Sequence, residues 1–124
     1  MSRKTRHANN AAALVAGIEA MGLRIVANPD FRLASLTAVF APEGIPEAEI
    51  RRDLLHTYNI EVSGGLASIP ELAGKIWRIG LMGHNSTAAN VLYLLSSLES
   101  ALFAREYEMA AGAGVAAAQR VLRG

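Results

Sequence analysis

The sequence contains no cysteine, and this absence excludes three classes of site at once. Thiolate nucleophiles, zinc–thiolate centres and disulfide scaffolds all require a sulfur atom that this chain lacks. Long apolar runs are missing too, since no stretch approaches the roughly 20 residues that span a bilayer. We therefore expect no membrane insertion and a core that is held together by aliphatic packing.

A marked excess of one charge sign is also absent. Twelve basic residues stand against 11 acidic ones, which gives a net charge of +1. That balance predicts no strong attraction to nucleic acid or to anionic membrane surfaces. Residues 1–7 are basic, but an alanine-rich amphipathic stretch follows them instead of a signal-peptide core. Organelle targeting stays an alternative; we predict a solvated first helical turn in a cytoplasmic protein.

Aliphatic residues are what the chain has in abundance, because hydrophobic residues make up 52 % of its 124 positions. A domain of this length buries roughly two-thirds of the surface that its unfolded chain exposes, so one core is sustainable without metal or disulfide. No internal repeat or linker divides the sequence. We predict one domain over residues 1–105, followed by an alanine-rich C-terminal tail over residues 106–124 that contains a short helix.

Apolar residues recur at helical spacing in three segments of the sequence. The first helix is predicted to end at Gly22, where a left-handed C-cap is favoured. Pro46 is predicted at the first position of the second helix, and Asn85 or Ser86 as the cap of the third. The predicted buried positions are Ala11, Leu14, Ile18 and Met21 in the first helix, Ile50, Leu54, Leu55 and Tyr58 in the second, and Val91, Leu94, Leu95, Leu98 and Leu102 in the third.

Four short segments rich in β-branched and large apolar residues are predicted as strands, at residues 23–26, 35–40, 60–62 and 75–80. The first two are joined too tightly for a helical crossover, so they should be antiparallel. The order of elements is therefore αββαββα. It predicts an α+β fold with a mainly antiparallel four-stranded sheet and helices on one face.

Two further patterns resemble functional motifs but lack the context that those motifs need. Residues 112–117 fit the G-x-G-x-x-A dinucleotide fingerprint, yet the sequence ends before the acidic residue expected about 20 positions further on. We interpret these glycines as a hinge before the tail helix. His7, His56 and His84 lie far apart without the carboxylate spacing of a metal site, so no metal ligand is predicted. His84, in the loop before the third helix, is kept as a candidate for ligand contact.

Arg78 is the unusual residue within the predicted strands. It lies between Trp77 and Ile79 in an otherwise apolar segment, where a buried guanidinium is costly without an anionic partner. Period-two alternation places Ile76 and Arg78 on one sheet face, with Lys75, Trp77 and Ile79 on the other. Two interpretations stay open. One is an edge-strand arginine paired with a surface carboxylate; the other is an anion-recognition site whose planar fork matches a carboxylate.

The stretch over residues 74–85, GKIWRIGLMGHN, resembles the most characteristic segment of alanine–glyoxylate and serine–glyoxylate aminotransferases. The likeness continues upstream in the same order, through residues 6–7, 21–23, 29–39, 42–44 and 58–66. It spans residues 6–102, and its motifs keep their spacing throughout. The chain is therefore similar to the C-terminal small domain of class V pyridoxal-phosphate aminotransferases, whose fold, that of fold-type I enzymes, agrees with the predicted sheet.

The resemblance implies a role for Arg78. In the family, the arginine of the K-[IV]-x-R-I-G stretch binds the α-carboxylate of the amino-acid or 2-oxo-acid substrate, so Arg78 is expected to be the substrate-binding residue. Gly64 and Gly65 resemble the family's glycine pair near the active-site entrance. A tight turn explains these two glycines equally well, and no chemistry is assigned to them.

The family's cofactor is pyridoxal 5'-phosphate, an electron sink that a lysine of the large domain holds as a Schiff base. The motifs of that large domain are not found in this sequence. Lys4 and Lys75 are the only lysines, and neither matches the family's position. The resemblance therefore implies no catalytic residue in this chain and no cofactor bound by it alone.

Three hypotheses of function follow. The chain is a fragment of an alanine or serine–glyoxylate aminotransferase, inactive alone and dependent on a large domain or a homodimer partner. Alternatively, it is a stand-alone non-catalytic domain that binds amino acids or dimerises. An amino-acid-sensing regulatory domain fits the element order less well. Without a large domain, Leu14 and Ile18 are expected to lose neighbours, which predicts marginal stability and self-association.

Overall fold

Helices and a two-stranded antiparallel sheet build the part of the chain that the structure, a computed structural model, describes: residues 3–26, 36–65, 73–80 and 87–124. In chain order, the elements are α1 (Arg3–Ala20), β1 (Leu36–Phe40), α2 (Glu47–Tyr58), β2 (Ile76–Gly80), α3 (Ala88–Phe103) and α4 (Ala113–Arg123). The predicted α+β class is confirmed. None of the helices in these ranges combines the length and the apolar character that crossing a membrane requires.

The sheet consists of β1 and β2, which pair antiparallel over all five residues of each strand. A single antiparallel bridge joins Ile25 to Val39 of β1, and another joins Ser63 to Arg78 of β2. Residues of the first and third predicted strands thus lie beside β1 and β2, but each of these segments contributes one bridge and no strand. The four-stranded sheet is not confirmed and stays a prediction. The turn predicted at residues 28–30 lies outside the described residues.

The predicted helical stripes agree with the observed burial except at three positions: Ala11 and Tyr58 are half-buried, and Leu55 is exposed. Leu14, Ile18 and Met21 of the first stripe are buried, and Gly22 has the left-handed φ of +84° that was expected at the end of the helix. All five predicted positions of α3 are buried. The prediction that Leu55 of α2 is buried is wrong, because this side chain is 45 % exposed while its neighbour Leu54 is buried. Adjacent helical residues point about 100° apart, and the buried stripe of α2 is too narrow to include both.

The starts of α2 and α3 differ from the prediction by a residue or two. Pro46 is the extended N-cap of α2 and not its first helical residue. The N-cap of α3 is Thr87, whose hydroxyl oxygen accepts a hydrogen bond from the Asn90 backbone N–H at 3.1 Å. Asn85 and Ser86, the predicted caps, lie outside the described residues. A threonine hydroxyl can satisfy a free N–H of the first turn, as an asparagine or serine side chain can.

The C-terminal helix α4 packs into the core against α1 and α3. Its Ala118 is fully buried, and the Gly112 N–H at its start donates to the buried Glu99 carboxylate of α3 at 3.0 Å. Gly112 has the left-handed φ of +78° expected of a bend, whereas Gly114 lies within the helix and is buried. The division of the chain at residue 105 stays a prediction.

Two glycines allow α1 and α4 to approach closely. A methyl group on Gly17 would lie 2.9 Å from the Gly114 carbonyl oxygen and would overlap Leu95 Cδ1. A methyl group on Gly114 would lie 2.8 Å from Met21 Cε. The expectation that Leu14 and Ile18 lose neighbours is therefore wrong, because both side chains are fully buried within this chain.

On the other side of the core, Trp77 fixes β2 to the start of α2. The indole is buried beside the sheet, and its Nε1–H donates to the backbone carbonyl oxygen of Glu47 at 3.1 Å. Val39, its cross-strand partner on β1, and Ile79 are buried in the same core cluster. This anchored strand carries Arg78, so the position of the arginine backbone is set by core packing.

We expect Gly17→Ala to destabilise the fold by about 1–3 kcal/mol, because the new methyl group forces apart two packed helices. Alanine is otherwise favoured over glycine in a helix by about 1 kcal/mol, so the sign of the effect identifies the close contact. Urea unfolding followed by circular dichroism measures the change. Ala12→Gly, at an exposed position of the same helix, calibrates the backbone contribution. A stabilised Gly17→Ala protein would contradict this packing.

We expect Trp77→Phe to cost about 1–3 kcal/mol of unfolding free energy, through a lost buried hydrogen bond and a small cavity. Tyr93→Phe is a matched control, because its hydroxyl also donates to a carbonyl oxygen of α2, that of Tyr58 at 2.7 Å, but at an exposed position. Thermal unfolding should show a clearly smaller loss for Tyr93→Phe. Equal losses would mean that the indole does not anchor the strand.

Candidate functional site

Arg78 lies at the centre of β2 and is paired on both sides. In the β1–β2 register it is opposite Ala38. On its other side, the Arg78 N–H donates to Ser63 O at 2.7 Å and the Ser63 N–H donates to Arg78 O at 3.1 Å. At this residue β2 is therefore an inner segment of the sheet, which disfavours the interpretation of Arg78 as an edge-strand arginine.

The Arg78 side chain is half-buried and is held by a backbone carbonyl. Its Nε–H donates to Gly64 O at 2.6 Å. Among the described residues, the ion pairs within 4.0 Å all involve other arginines, namely Arg51, Arg52 and Arg105. Within the described part of the chain, the guanidinium thus has no carboxylate partner, and one of its nitrogens is fixed by the sheet.

Both faces of β2 are covered near Arg78. Trp77 and Ile79 point into the helix-covered core, as the alternation predicted. Ile76, which shares the other face with Arg78, is fully buried as well, and so is Ala38 opposite the arginine. Partial burial of a charge beside apolar side chains costs free energy. An anion that binds to the guanidinium would offset this cost.

Gly64 accommodates a second arginine that the sequence analysis did not single out. A methyl group on Gly64 would lie 3.2 Å from Cζ of Arg51 and 3.3 Å from its Nη2, so the absence of a side chain makes room for this guanidinium. Arg51 in turn makes two hydrogen bonds to the Glu47 carboxylate, which is only 7 % exposed. These bonds raise the pKa of Arg51 above its ordinary value. The i, i+4 spacing of Glu47 and Arg51 was the available signal.

A cavity of about 500 Å³ opens between the segment that follows α2, the end of β2 and the start of α3. Its polar lining comes from Asn59, Glu61 and Asn90, and its apolar lining includes Ile79 and Leu94. Arg78 does not line it. The cavity and the arginine are therefore separate features of the described structure.

The remaining predicted candidates do not converge on Arg78. His56 is exposed on α2, while His84 and the side chain of His7 lie outside the described residues. In the described ranges no group of three or more metal-binding side chains could hold an ion. Lys75 is exposed in the turn before β2, and the Lys4 side chain lies outside the described part. The exposed position of Lys75 does not fit a lysine that holds pyridoxal phosphate beside a substrate.

Comparison with known proteins adds to this geometry. No family model matches the sequence. The chain is 40 % identical over 117 residues to (S)-ureidoglycine–glyoxylate transaminase of Bacillus subtilis. The matched segment covers 94 % of this chain and 27 % of that enzyme. It is 39 % identical over 98 residues to alanine–glyoxylate aminotransferase of Callithrix jacchus. This matched segment covers 78 % of this chain and 23 % of that enzyme.

The structural comparison gives the same result. The crystal structure of ureidoglycine–glyoxylate aminotransferase from Bacillus subtilis matches with a TM-score of 0.89 and 38 % sequence identity, covering 98 % of this chain and 31 % of that one. The chain spans less than a third of the length of these relatives. Sequence and fold thus agree that the chain belongs to the class V pyridoxal-phosphate-dependent aminotransferases, as a homologue of their C-terminal region.

Proposed function

We propose that this chain supplies Arg78 as the substrate-carboxylate residue of a pyridoxal-phosphate-dependent aminotransferase and that it does not catalyse transamination alone. The observation that carries the proposal is the Arg78 guanidinium, which is half-buried in an apolar strand. Its Nε is fixed to Gly64 O at 2.6 Å, and no carboxylate of the described residues pairs with it. A charge kept in this state is suited to an external anion.

The hydrogen bond at Nε determines how a carboxylate binds. With Nε engaged by Gly64, the two terminal nitrogens of Arg78 form the fork that remains for a ligand. Two parallel N–H···O bonds from such a fork match the two oxygens of a carboxylate. Pairing on both sides of the backbone holds the base of the side chain in place, so little ordering is needed when the substrate binds.

The covalent chemistry is assigned to another polypeptide region. In this family, pyridoxal phosphate supplies the electron sink for amino transfer. Lys75 is exposed and lies in a turn, which is unsuitable for a lysine that must be desolvated beside a substrate. We therefore derive no catalytic step from this chain. Its partner would be an aminotransferase large domain, as a separate chain or within a homodimer.

The names of the relatives support a proposal for the substrates. The matched enzymes are named for glyoxylate as amino acceptor and for alanine or ureidoglycine as donor. We propose that the complete enzyme transfers an amino group from alanine, serine or a related amino acid to glyoxylate or a related 2-oxo acid. All of these molecules carry the carboxylate that Arg78 would bind.

A second candidate is a stand-alone, non-catalytic domain that binds amino acids or dimerises. The self-contained core favours it, because all four helices contribute buried residues to one cluster with β1 and β2. The affinity of the isolated chain for an amino acid or 2-oxo acid distinguishes the two candidate functions. A single charged hydrogen-bonded contact contributes about 1.5–3 kcal/mol, which gives no useful affinity by itself. A stand-alone binding domain would need micromolar affinity, or about 8 kcal/mol.

We expect weak binding of pyruvate to the isolated chain, with a dissociation constant of about 1 mM or higher. Nuclear magnetic resonance titration of the labelled protein measures it, and Arg78→Ala should abolish the shifts around β2. Arg52→Ala is the control, because Arg52 is an exposed arginine with a long ion pair of 3.6 Å. Identical titrations for the native protein and Arg78→Ala would refute the proposed role of Arg78 in carboxylate binding.

We also expect no amino transfer when the isolated chain is supplied with pyridoxal phosphate, alanine and glyoxylate. Borohydride reduction, mass spectrometry and a pyruvate assay test this. A reduced pyridoxyl-lysine adduct at Lys75 together with turnover would show that the chain is active alone. An adduct without turnover agrees with the proposal, since an exposed lysine reacts with aldehydes nonspecifically.

A further inference from the structure

We propose that Arg51 is a positioning residue for Arg78, acting through the peptide group of Gly64. The inference rests on the function proposed for Arg78 and adds a residue to it. Three contacts form a chain from α2 to the sheet: Glu47 holds Arg51, Arg51 packs on Gly64, and Gly64 O accepts from Arg78 Nε.

The first contact fixes the plane of the Arg51 guanidinium. Its Nε–H donates to Glu47 Oε2 at 2.6 Å and its Nη2–H donates to Oε1 at 3.0 Å. Two parallel bonds to one carboxylate define an orientation that a single contact does not. The Glu47 carboxylate is buried in the first turn of α2, and the Glu47 carbonyl oxygen accepts from Trp77, so the anchor itself belongs to the core.

The second contact places this guanidinium flat against Gly64. A methyl group on Gly64 would lie at nearly equal distances from Cζ, Nη2 and Nε of Arg51: 3.2, 3.3 and 3.4 Å. Nearly equal distances to three atoms of one plane mean that the glycine faces the plane and not its edge. Gly64 does not have a positive φ. Close approach, and not backbone conformation, is therefore the reason for a glycine here.

The third contact transmits the position to Arg78. Residues 62–64 are joined to β2 by one bridge, at Ser63, and a single bridge leaves the next peptide group free to tilt. The Arg51 plane covers Gly64 and limits this tilt. Gly64 O then stays 2.6 Å from Arg78 Nε, and the terminal nitrogens of Arg78 keep one direction. Glu47 also neutralises Arg51, so that Arg78 presents the unpaired positive charge.

The test compares Arg51→Lys with Arg52→Lys in the full chain. Lysine keeps the charge and reaches Glu47, but it has no plane to cover Gly64. Arg52 is the adjacent arginine of α2, is exposed, and pairs with Glu49 at 3.6 Å, which makes it the matched control. Circular dichroism verifies that both variants are folded. The readouts are hydrogen exchange of the Arg78 Nε–H and pyruvate titration, both by nuclear magnetic resonance.

In Arg51→Lys we expect exchange of the Arg78 Nε–H to accelerate by about tenfold, as for a loosened hydrogen bond. The pyruvate dissociation constant should rise by a few-fold, and Arg52→Lys should change neither readout. Gly64→Ala is the second variant, since its methyl group displaces the Arg51 plane while the pair with Glu47 is kept. It should also accelerate the exchange.

The two proposals fail separately. If Arg78→Ala abolishes pyruvate binding but Arg51→Lys leaves both exchange and binding unchanged, the role of Arg51 is refuted and that of Arg78 stands. If pyruvate binding does not depend on Arg78, its proposed function fails. Accelerated exchange in Arg51→Lys would then still establish that Arg51 positions the guanidinium, and unchanged exchange would refute it.

Discussion

The hydrogen bond from Arg78 to the carbonyl oxygen of Gly64 is the interaction on which the site depends. An arginine in the middle of a strand is tolerated only if its polar atoms find partners or reach solvent. Here one nitrogen is satisfied by the backbone of the adjacent segment, which converts a flexible side chain into a directed one. The apolar core does the rest, because Trp77 on the opposite face fixes the strand from which the arginine projects.

Much of this arrangement was predictable from local sequence. Helical spacing found the buried faces of α1 and α3, and strand alternation separated Trp77 from Arg78. Both patterns report which side of an element faces the core, and burial enforces that side strongly. The resemblance of the KIWRIG stretch to the aminotransferases indicated the family. The predicted burial of Leu55 was wrong because periodicity does not reveal the width of the buried stripe on α2.

Contacts between distant segments were not predictable in the same way. The close packing of Gly17 on Gly114, and of Arg51 on Gly64, joins residues that no local pattern connects. A glycine in a sequence suggests a turn or a hinge, whereas these two contacts use its lack of a side chain. The sequence alone therefore predicted residues 106–124 only as an alanine-rich tail with a short helix. Its helix is amphipathic, but only the tertiary structure shows that the apolar side covers α1.

The pairing of α1 with α4 has a consequence for the order of events during synthesis. Ribosomes add roughly 5–20 residues per second, so several seconds separate the two helices as they emerge. During that interval the apolar stripe of α1 lacks the surface that later covers it. The side of α1 that packs on α4 therefore stays uncovered in the nascent chain until α4 leaves the exit tunnel, a period in which chaperones have access to it.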